Sequence, residues 1–176
     1  WPSKGDYDLN DLVEYLHYKF YTSSKIGEEN QIFRIERYGK IAANGGIFDI
    51  RPGAELIGLA TNNIAVATYD NSPISSEVGA TNPTFLFSDG LRGELASLRN
   101  GMPYYRTEIA DNKALLANYK VLTIDLENGI TRNSFSINPF ITFAGNRERE
   151  VHLPGHPLTS VAQGLGGATY FGQGVS

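Results

Sequence analysis

The run Leu12-Val13-Glu14-Tyr15-Leu16-His17-Tyr18-Lys19-Phe20-Tyr21 decides the fold class. It holds no turn former and is rich in aromatic residues, which suit the pleated surface of a sheet. Leu12, Leu16, Tyr18 and Phe20 share one parity, interrupted by Glu14. Val13, Tyr15 and Tyr21 take the other parity, with His17 and Lys19. A period of two fits a strand, and apolar residues on both parities predict one buried on both sides for much of its length. His17 reads as a strand residue with a satisfied ring rather than as a metal ligand.

Directly before this strand stands Gly5-Asp6-Tyr7-Asp8-Leu9-Asn10-Asp11. Carboxylates at this density repel one another unless a cation sits between them. Alternating carboxylate and amide oxygens on a turning loop suit calcium, which takes roughly six to eight oxygen ligands at about 2.3–2.6 Å. The expectation is a Ca2+ site built from Asp6, Asp8, Asn10 and Asp11 that fastens the start of the strand. Asp49, Asp89 or a backbone carbonyl is expected to complete it. The loop is not an EF-hand. With Asp6 as the first ligand, the glycine position holds Asp11 and the bidentate glutamate position holds His17. The alternative is an acidic turn whose Asp and Asn side chains bond their own backbone.

Composition bounds the remaining possibilities. A chain of 176 residues is long enough to bury about 70% of its unfolded surface, as one domain. The expected division is a single β-sandwich domain over 1–176, with an acidic loop at 5–11 and a glycine-rich segment at 164–176. Nineteen glycines, ten tyrosines and nine phenylalanines favour β-structure with many turns. A net charge of −4 argues against a nucleic-acid partner, which requires a basic footprint. No apolar stretch reaches the roughly 18–20 residues of a membrane span. Cysteine is absent, so metal ions rather than disulfides are the available staples. The chain opens on Trp1-Pro2 without methionine or a visible signal peptide, which suggests a processed chain or part of a longer protein.

Further along, Gln31–Tyr38 alternates as a half-exposed strand. Two short extended pieces are expected around Gly45-Gly46, the second ended by Pro52-Gly53. Leu56–Thr68, broken at Asn62-Asn63, reads as a hairpin. Residues 70–83 form the clearest loop, and Asn82-Pro83-Thr84 is a glycosylation sequon blocked by its proline. Thr84–Phe87 is a short buried strand. Ser88 is placed to cap a short helix carrying Leu91, Leu95 and Leu98. Tyr119–Leu126 puts Leu122, Ile124 and Leu126 on one face. Asn128-Gly129 is the strongest two-residue hairpin signal, returning through Thr131–Phe135. Asn138-Pro139 opens Phe140–Ala144, and Gly145-Asn146 turns into Glu150-Val151-His152-Leu153. About nine short strands with regular turns and one minor helix predict an all-β fold, an antiparallel β-sandwich.

Several segments together resemble the LruC-type domain of bacterial surface and outer-membrane lipoproteins. They are Trp1-Pro2-Ser3-Lys4-Gly5-Asp6 through Val13, Asn138-Pro139-Phe140-Ile141 and Glu150-Val151-His152-Leu153-Pro154-Gly155, with Asn44–Gly53 in weaker support. The family motif resembles Asp-x-Asp-x-Asn-Asp, matched by Asp6, Asp8, Asn10 and Asp11. The resemblance implies an extracytoplasmic, predominantly β domain and brings no catalytic residue. The family continues into a Phe-Gly-Thr-acidic motif, from which Phe171-Gly172-Gln173-Gly174 departs by losing the acidic pair.

Enzymatic signatures are weak. No serine sits in Gly-x-Ser-x-Gly, and Gly164-x-Gly166-Gly167 has neither the lysine nor the helix of a phosphate loop. His152 and His156 have the spacing of a helical zinc pair, but Leu153-Pro154-Gly155 between them forbids the helix. Glu148 with Glu150, or Asp125 with Glu127, reads as a solvated strand face rather than a glycosidase pair. The expected function is non-enzymatic: a secreted or surface-exposed calcium-binding sandwich in adhesion, matrix or pilus-like filament assembly. Its expected partner is itself, by strand exchange or head-to-tail contact. The alternative is a calcium-dependent carbohydrate-binding module for surface glycans, with Trp1, Tyr7, Tyr15, Tyr104 and Tyr105 as stacking faces.

Overall fold

The structure is a computed structural model and describes residues 12–44, 48–98 and 119–167. Strands β1 (Val13–Thr22), β2 (Gln31–Ala43), β3 (Ile50–Ile57), β4 (Ile64–Tyr69), β5 (Ser72–Pro73) and β6 (Thr84–Leu86) precede helix α1 (Leu91–Leu98). Strands β7 (Lys120–Thr131), β8 (Ser136–Phe143) and β9 (Asn146–His152) follow, then the short helix α2 (Ser160–Gly164). One sheet has the order β1-β2-β7-β4-β5 and the other β6-β3-β8-β9. All strand pairings are antiparallel. The molecule is the antiparallel β-sandwich that its strand spacing predicts.

The core forms where the inward parities meet. Ile35, Leu122, Ile124 and Leu126 from the first sheet pack with Ala54, Leu56 and Phe85 from the second, and Phe87 and Phe135 close the cluster. The expected face of Leu122, Ile124 and Leu126 is thus buried as read. A smaller cluster at one end joins Ile50 and Leu91, with Leu12, Ile41, Ile141 and Phe143 against it.

Strand β1 differs from its expectation. It is an edge strand rather than one buried on both sides, because Tyr15, His17 and Tyr21 turn to solvent. Tyrosine satisfies β-propensity while keeping its hydroxyl wet, so aromatic content on the second parity signalled sheet and not burial. His17 is exposed and lies 5.8 Å from the Tyr38 ring, centroid to centroid.

Four turn signals also fall elsewhere than expected. Pro52-Gly53 does not end a strand; it lies inside β3. The Phe87 N–H donates to the Pro52 carbonyl at 2.9 Å, so the proline nitrogen faces the same side, past the end of β6. No ladder donor is required there. Asn138-Pro139 likewise lies within β8. Leu56–Thr68 is no hairpin: β3 and β4 belong to different sheets, joined through Gly58 at φ +86° and a 3-10 turn over Thr61–Asn63.

Asn128-Gly129 is not a hairpin turn, for β7 runs straight through it. Asn63 explains this. Its Oδ1 accepts the Asn128 N–H at 2.8 Å, and its Nδ2 donates to the Asn128 carbonyl at 2.9 Å. One side-chain amide thereby replaces a strand partner. The reversal instead uses Arg132–Ser134, a 3-10 turn that hands the chain to β8. Within the expected loop 70–83, Asp70 and Asn71 adopt φ 50° and 67° and close the small β4–β5 hairpin. Ser88 accepts the Gly90 N–H, while the carboxylate of Asp49 accepts the Arg92 N–H and caps α1 from outside.

Gly53 is under tight steric demand. A Cβ there would lie 2.6 Å from the Phe140 ring and 2.8 Å from the Phe85 carbonyl. Gly53→Ala is therefore expected to destabilise by about 1–3 kcal/mol. Gly93→Ala, in open space on α1, is expected to stabilise by about 0.5–1 kcal/mol. Urea unfolding of the two variants checks both signs.

Candidate functional site

The polar residues that the sequence singles out around Asn138 and Glu150 converge on the outer face of the β6-β3-β8-β9 sheet. Register puts Glu55 opposite Asn138, and Phe140 opposite His152. Thr142 pairs with Glu150. This parity would normally face water, but the segment containing α2 folds back over β9 and seals it. Glu55, Asn138, Glu150 and Thr159 are all buried.

Glu150 is the centre. Its Oε2 accepts the Thr159 backbone N–H and the His152 ring, each at 2.9 Å. Its Oε1 accepts the Thr159 hydroxyl at 2.7 Å and the Arg147 guanidinium. Every lone-pair direction of the carboxylate is thereby used. Arg147 also forks onto the Glu77 carboxylate at 2.8 and 2.5 Å, a bidentate geometry that fixes orientation as well as charge. Thr159 Oγ1 in turn accepts the Ala162 N–H, so the residue that caps α2 is tied to Glu150.

The network continues across the sheet. Asn138 Nδ2 donates to Glu55 Oε2 and to the Pro157 carbonyl, both at 3.0 Å. This commits the amide's donors, so its oxygen faces His152 Nδ1, at 2.8 Å. Both His152 ring nitrogens are thereby engaged, one with Asn138 and one with Glu150. The ring stacks on Phe140 at 5.5 Å. Asn82 Nδ2 donates to the other Glu55 oxygen at 2.9 Å. A continuous path of side-chain bonds thus runs from the loop before β6, across β3, β8 and β9, to α2. With donors and acceptors committed on each other, the cluster ties β3, β8, β9 and α2 together.

The sequence signals only part of this. Asn138, Glu150 and His152 lie in quoted motifs, and the turn read at Leu153-Pro154-Gly155 is present, with the His156 N–H donating to the Leu153 carbonyl. His152 has no ring nitrogen left for zinc. Glu55, Glu77, Asn82, Arg147 and Thr159 were not singled out as partners. The one available signal was Glu55, a charge set between Ala54 and Leu56 in an apolar strand.

Asp6, Asp8, Asn10 and Asp11, the predicted calcium ligands, lie outside the described residues, as do Trp1, Tyr7, Tyr104, Tyr105 and the 168–176 end of the glycine-rich segment. Among the described residues, no three His, Cys, Asp or Glu side chains are grouped to hold a metal ion. Asp49 is engaged with α1, and Asp89 pairs with Arg51 at 3.3 Å in full exposure. Near the predicted loop, Val13 pairs with Ala43, two residues after Asp11 in the chain. The residue after that strand, Asn44, is 0% exposed, and among the described residues neither its Oδ1 nor its Nδ2 has a hydrogen-bond partner. An orphaned buried polar atom costs about 1–3 kcal/mol.

Burial alone would raise the Glu150 carboxyl; hydrogen bonds from His152, Thr159 and Arg147 outweigh it and hold the carboxyl below its ordinary range. A lowered folded value means stability present above the unfolded value, about 4.3, and lost as pH falls through the folded one. Glu150→Gln is expected to cost about 3–5 kcal/mol at pH 7. The gap to wild type is expected to narrow below about pH 4, as denaturant unfolding across pH will register.

Residues 30–173 match the family described as Domain of unknown function (DUF4842). The chain belongs to that family. The match begins beyond β1 and the acidic run. No curated protein and no solved structure matches the chain.

Proposed function

We propose that this member of the DUF4842 family is a non-enzymatic, calcium-binding β-sandwich of the bacterial cell surface, of LruC type, serving adhesion, matrix or filament assembly. The observation that carries the reading is the free edge of β1. Among the described residues, β5 is two residues long, β6 is three, and β9 is overlaid by α2, whereas β1 offers ten residues with no outer partner. Tyr15 is 59% exposed on it, beside Leu16 and Tyr21, with Lys19 as its one lysine or arginine. A long edge with so few protecting charges is a template for another strand. A second copy of the chain supplies that strand, and repeated head-to-tail contact builds a filament.

Calcium belongs at the start of this edge. The acidic run leads directly into β1, so an ion gripped by Asp6, Asp8, Asn10 and Asp11 fixes the strand where a partner begins to pair. Binding to the folded state alone contributes about 2.7 kcal/mol at a hundredfold excess over Kd. Chelation is expected to lower Tm by about 5–10 °C for a chain of this size. An unchanged Tm would remove calcium from the reading. Wild-type protein is expected to form concentration-dependent polymers under electron microscopy, which Tyr15→Lys with Tyr21→Lys abolishes. A monomer at every concentration would rule out the filament.

A second reading, calcium-dependent glycan binding, has its own observation. Exposed Tyr15, Tyr21 and Tyr119 flank Tyr38 on the outer face of the first sheet, where Lys40 lies 5.4 Å from the Tyr119 ring. Tyrosine rings with polar tips suit a wet ligand. Glycan-array binding that disappears with calcium would place this reading first.

A further inference from the structure

The outer face of the first sheet sets its charges beside opposite charges, with one exception. Arg34 meets Asp125 at 2.6 Å. Lys19 lies opposite Glu36 in the β1–β2 register. Lys40, on the same parity of β2, forms no ion pair with a carboxylate among the described residues. Its register partner on β1 is Tyr15. On its other side the pairing of Gly39 with Lys120 sets Tyr119 across from it, and its ammonium lies 5.4 Å from the Tyr119 ring centroid. The uncompensated cation thus stands in a row between two tyrosines that are 59% and 45% exposed.

The rings beside this row are held in place. The Tyr38 hydroxyl donates to Glu36 at 2.6 Å and accepts from Lys19 at 3.3 Å. The Tyr119 ring stands edge-on to Tyr38, with centroids 6.4 Å apart at 76°. Rings fixed before a ligand arrives lose little freedom on binding it. Tyr15 and Tyr119 are separated by two strand spacings, about 10 Å, the scale of a disaccharide rather than of a single sugar. Tyrosine offers a flat apolar ring to a sugar face and a hydroxyl to its polar edge. Lys40 adds a demand for negative charge. One unpaired lysine in a chain of net charge −4 is too little for the polyanionic backbone of a nucleic acid, but it suffices for one acidic group on a sugar.

We propose that the row Tyr15–Lys40–Tyr119 is a subsite for an acidic glycan, the two rings taking its sugar faces and the Lys40 ammonium its anionic group. This rests on the glycan reading above and names the class of glycan. The test is titration calorimetry of the full chain, in calcium throughout, with tetragalacturonate, its methyl ester and a sulfated neutral tetrasaccharide. Wild type is expected to bind the acid about tenfold more tightly than the ester, against the repulsion of its own net negative charge. Lys40→Gln is expected to abolish that preference and Lys40→Arg to keep it. Lys25→Gln, an exposed lysine in the loop between β1 and β2, is expected to leave it unchanged. Tyr119→Ala is expected to weaken acid and ester alike. Tighter binding of the sulfated sugar than of the uronate, lost in Lys40→Gln, would support the anion site and identify sulfate as its source. Equal affinity for acid and ester, or an acid preference that survives Lys40→Gln, would overturn the role of Lys40 and leave the glycan reading standing. Binding of none of these, and of no sugar on a glycan array, would overturn both. Should Lys40→Gln fail to fold, the wild-type comparison of acid with ester decides.

Discussion

The four hydrogen bonds received by Glu150 are the constraint on which the second sheet depends. A carboxylate with no solvent exposure is costly unless its charge is met and its lone pairs are filled. Arg147 meets the charge, and the His152 ring and Thr159, through its backbone N–H and hydroxyl, fill the rest. None of these groups could be buried alone. Their mutual satisfaction lets the segment after β9 close over a sheet face made of glutamate, asparagine, threonine and histidine. Such a network contributes more to uniqueness than to net stability, since an apolar face of the same shape would also pack. Its geometry admits one register of β3, β8 and β9 and one seat for α2.

The two outer faces of the sandwich are therefore unlike. That of the second sheet is polar in composition but closed. That of the first is open and carries a ladder in which the Tyr21 and Tyr38 hydroxyls both donate to Glu36 Oε2, at 2.7 and 2.6 Å, and Arg34 meets Asp125. The tyrosine rings give this face area for contact, while the hydroxyls and charges keep it compatible with water. The asymmetry separates a closed face that stabilises the fold from an exposed one. The open face also ends at β1, so edge and face form one continuous surface.

Legibility followed the kind of signal. Period-two alternation recovered the sandwich and the inward face of β7, because burial of one parity is a local property of sequence. Turn dipeptides misled where a distant group intervened: Asn63 spans Asn128, and the short β6 leaves Pro52 a margin with no ladder bond to lose. Neither fact can be read near the dipeptide itself. The aromatic run of β1 concealed an edge because tyrosine scores as a strand former on either face. Of the Glu150 network, the residues inside short motifs were visible, whereas Arg147, Glu77 and Thr159 converge only through the turn after β8 and the fold-back of α2. A buried pair formed across that distance has no spacing to detect.

Strand β1 is an edge, yet it is anchored to the interior by a charge. Arg37 is almost wholly buried and places its guanidinium 4.3 Å from the Phe87 ring centroid. Its Nη2 contacts both oxygens of Glu14 at 2.7 Å. Gly39 makes this possible, because a Cβ there would collide with the Arg37 guanidinium and the Glu14 carboxylate. Removing Glu14 would leave a buried cation without its counter-charge, so the first residues of β1 cannot peel away cheaply. The far end has no such buried charge pair among the described residues: Tyr21 is exposed with its hydroxyl on Glu36, and Thr22 follows a register shift. Order along the edge is thus set from its amino-terminal end, where Glu14 is held and where the acidic run begins. An ion bound there, as proposed, would act on the part of the strand already fixed to the core.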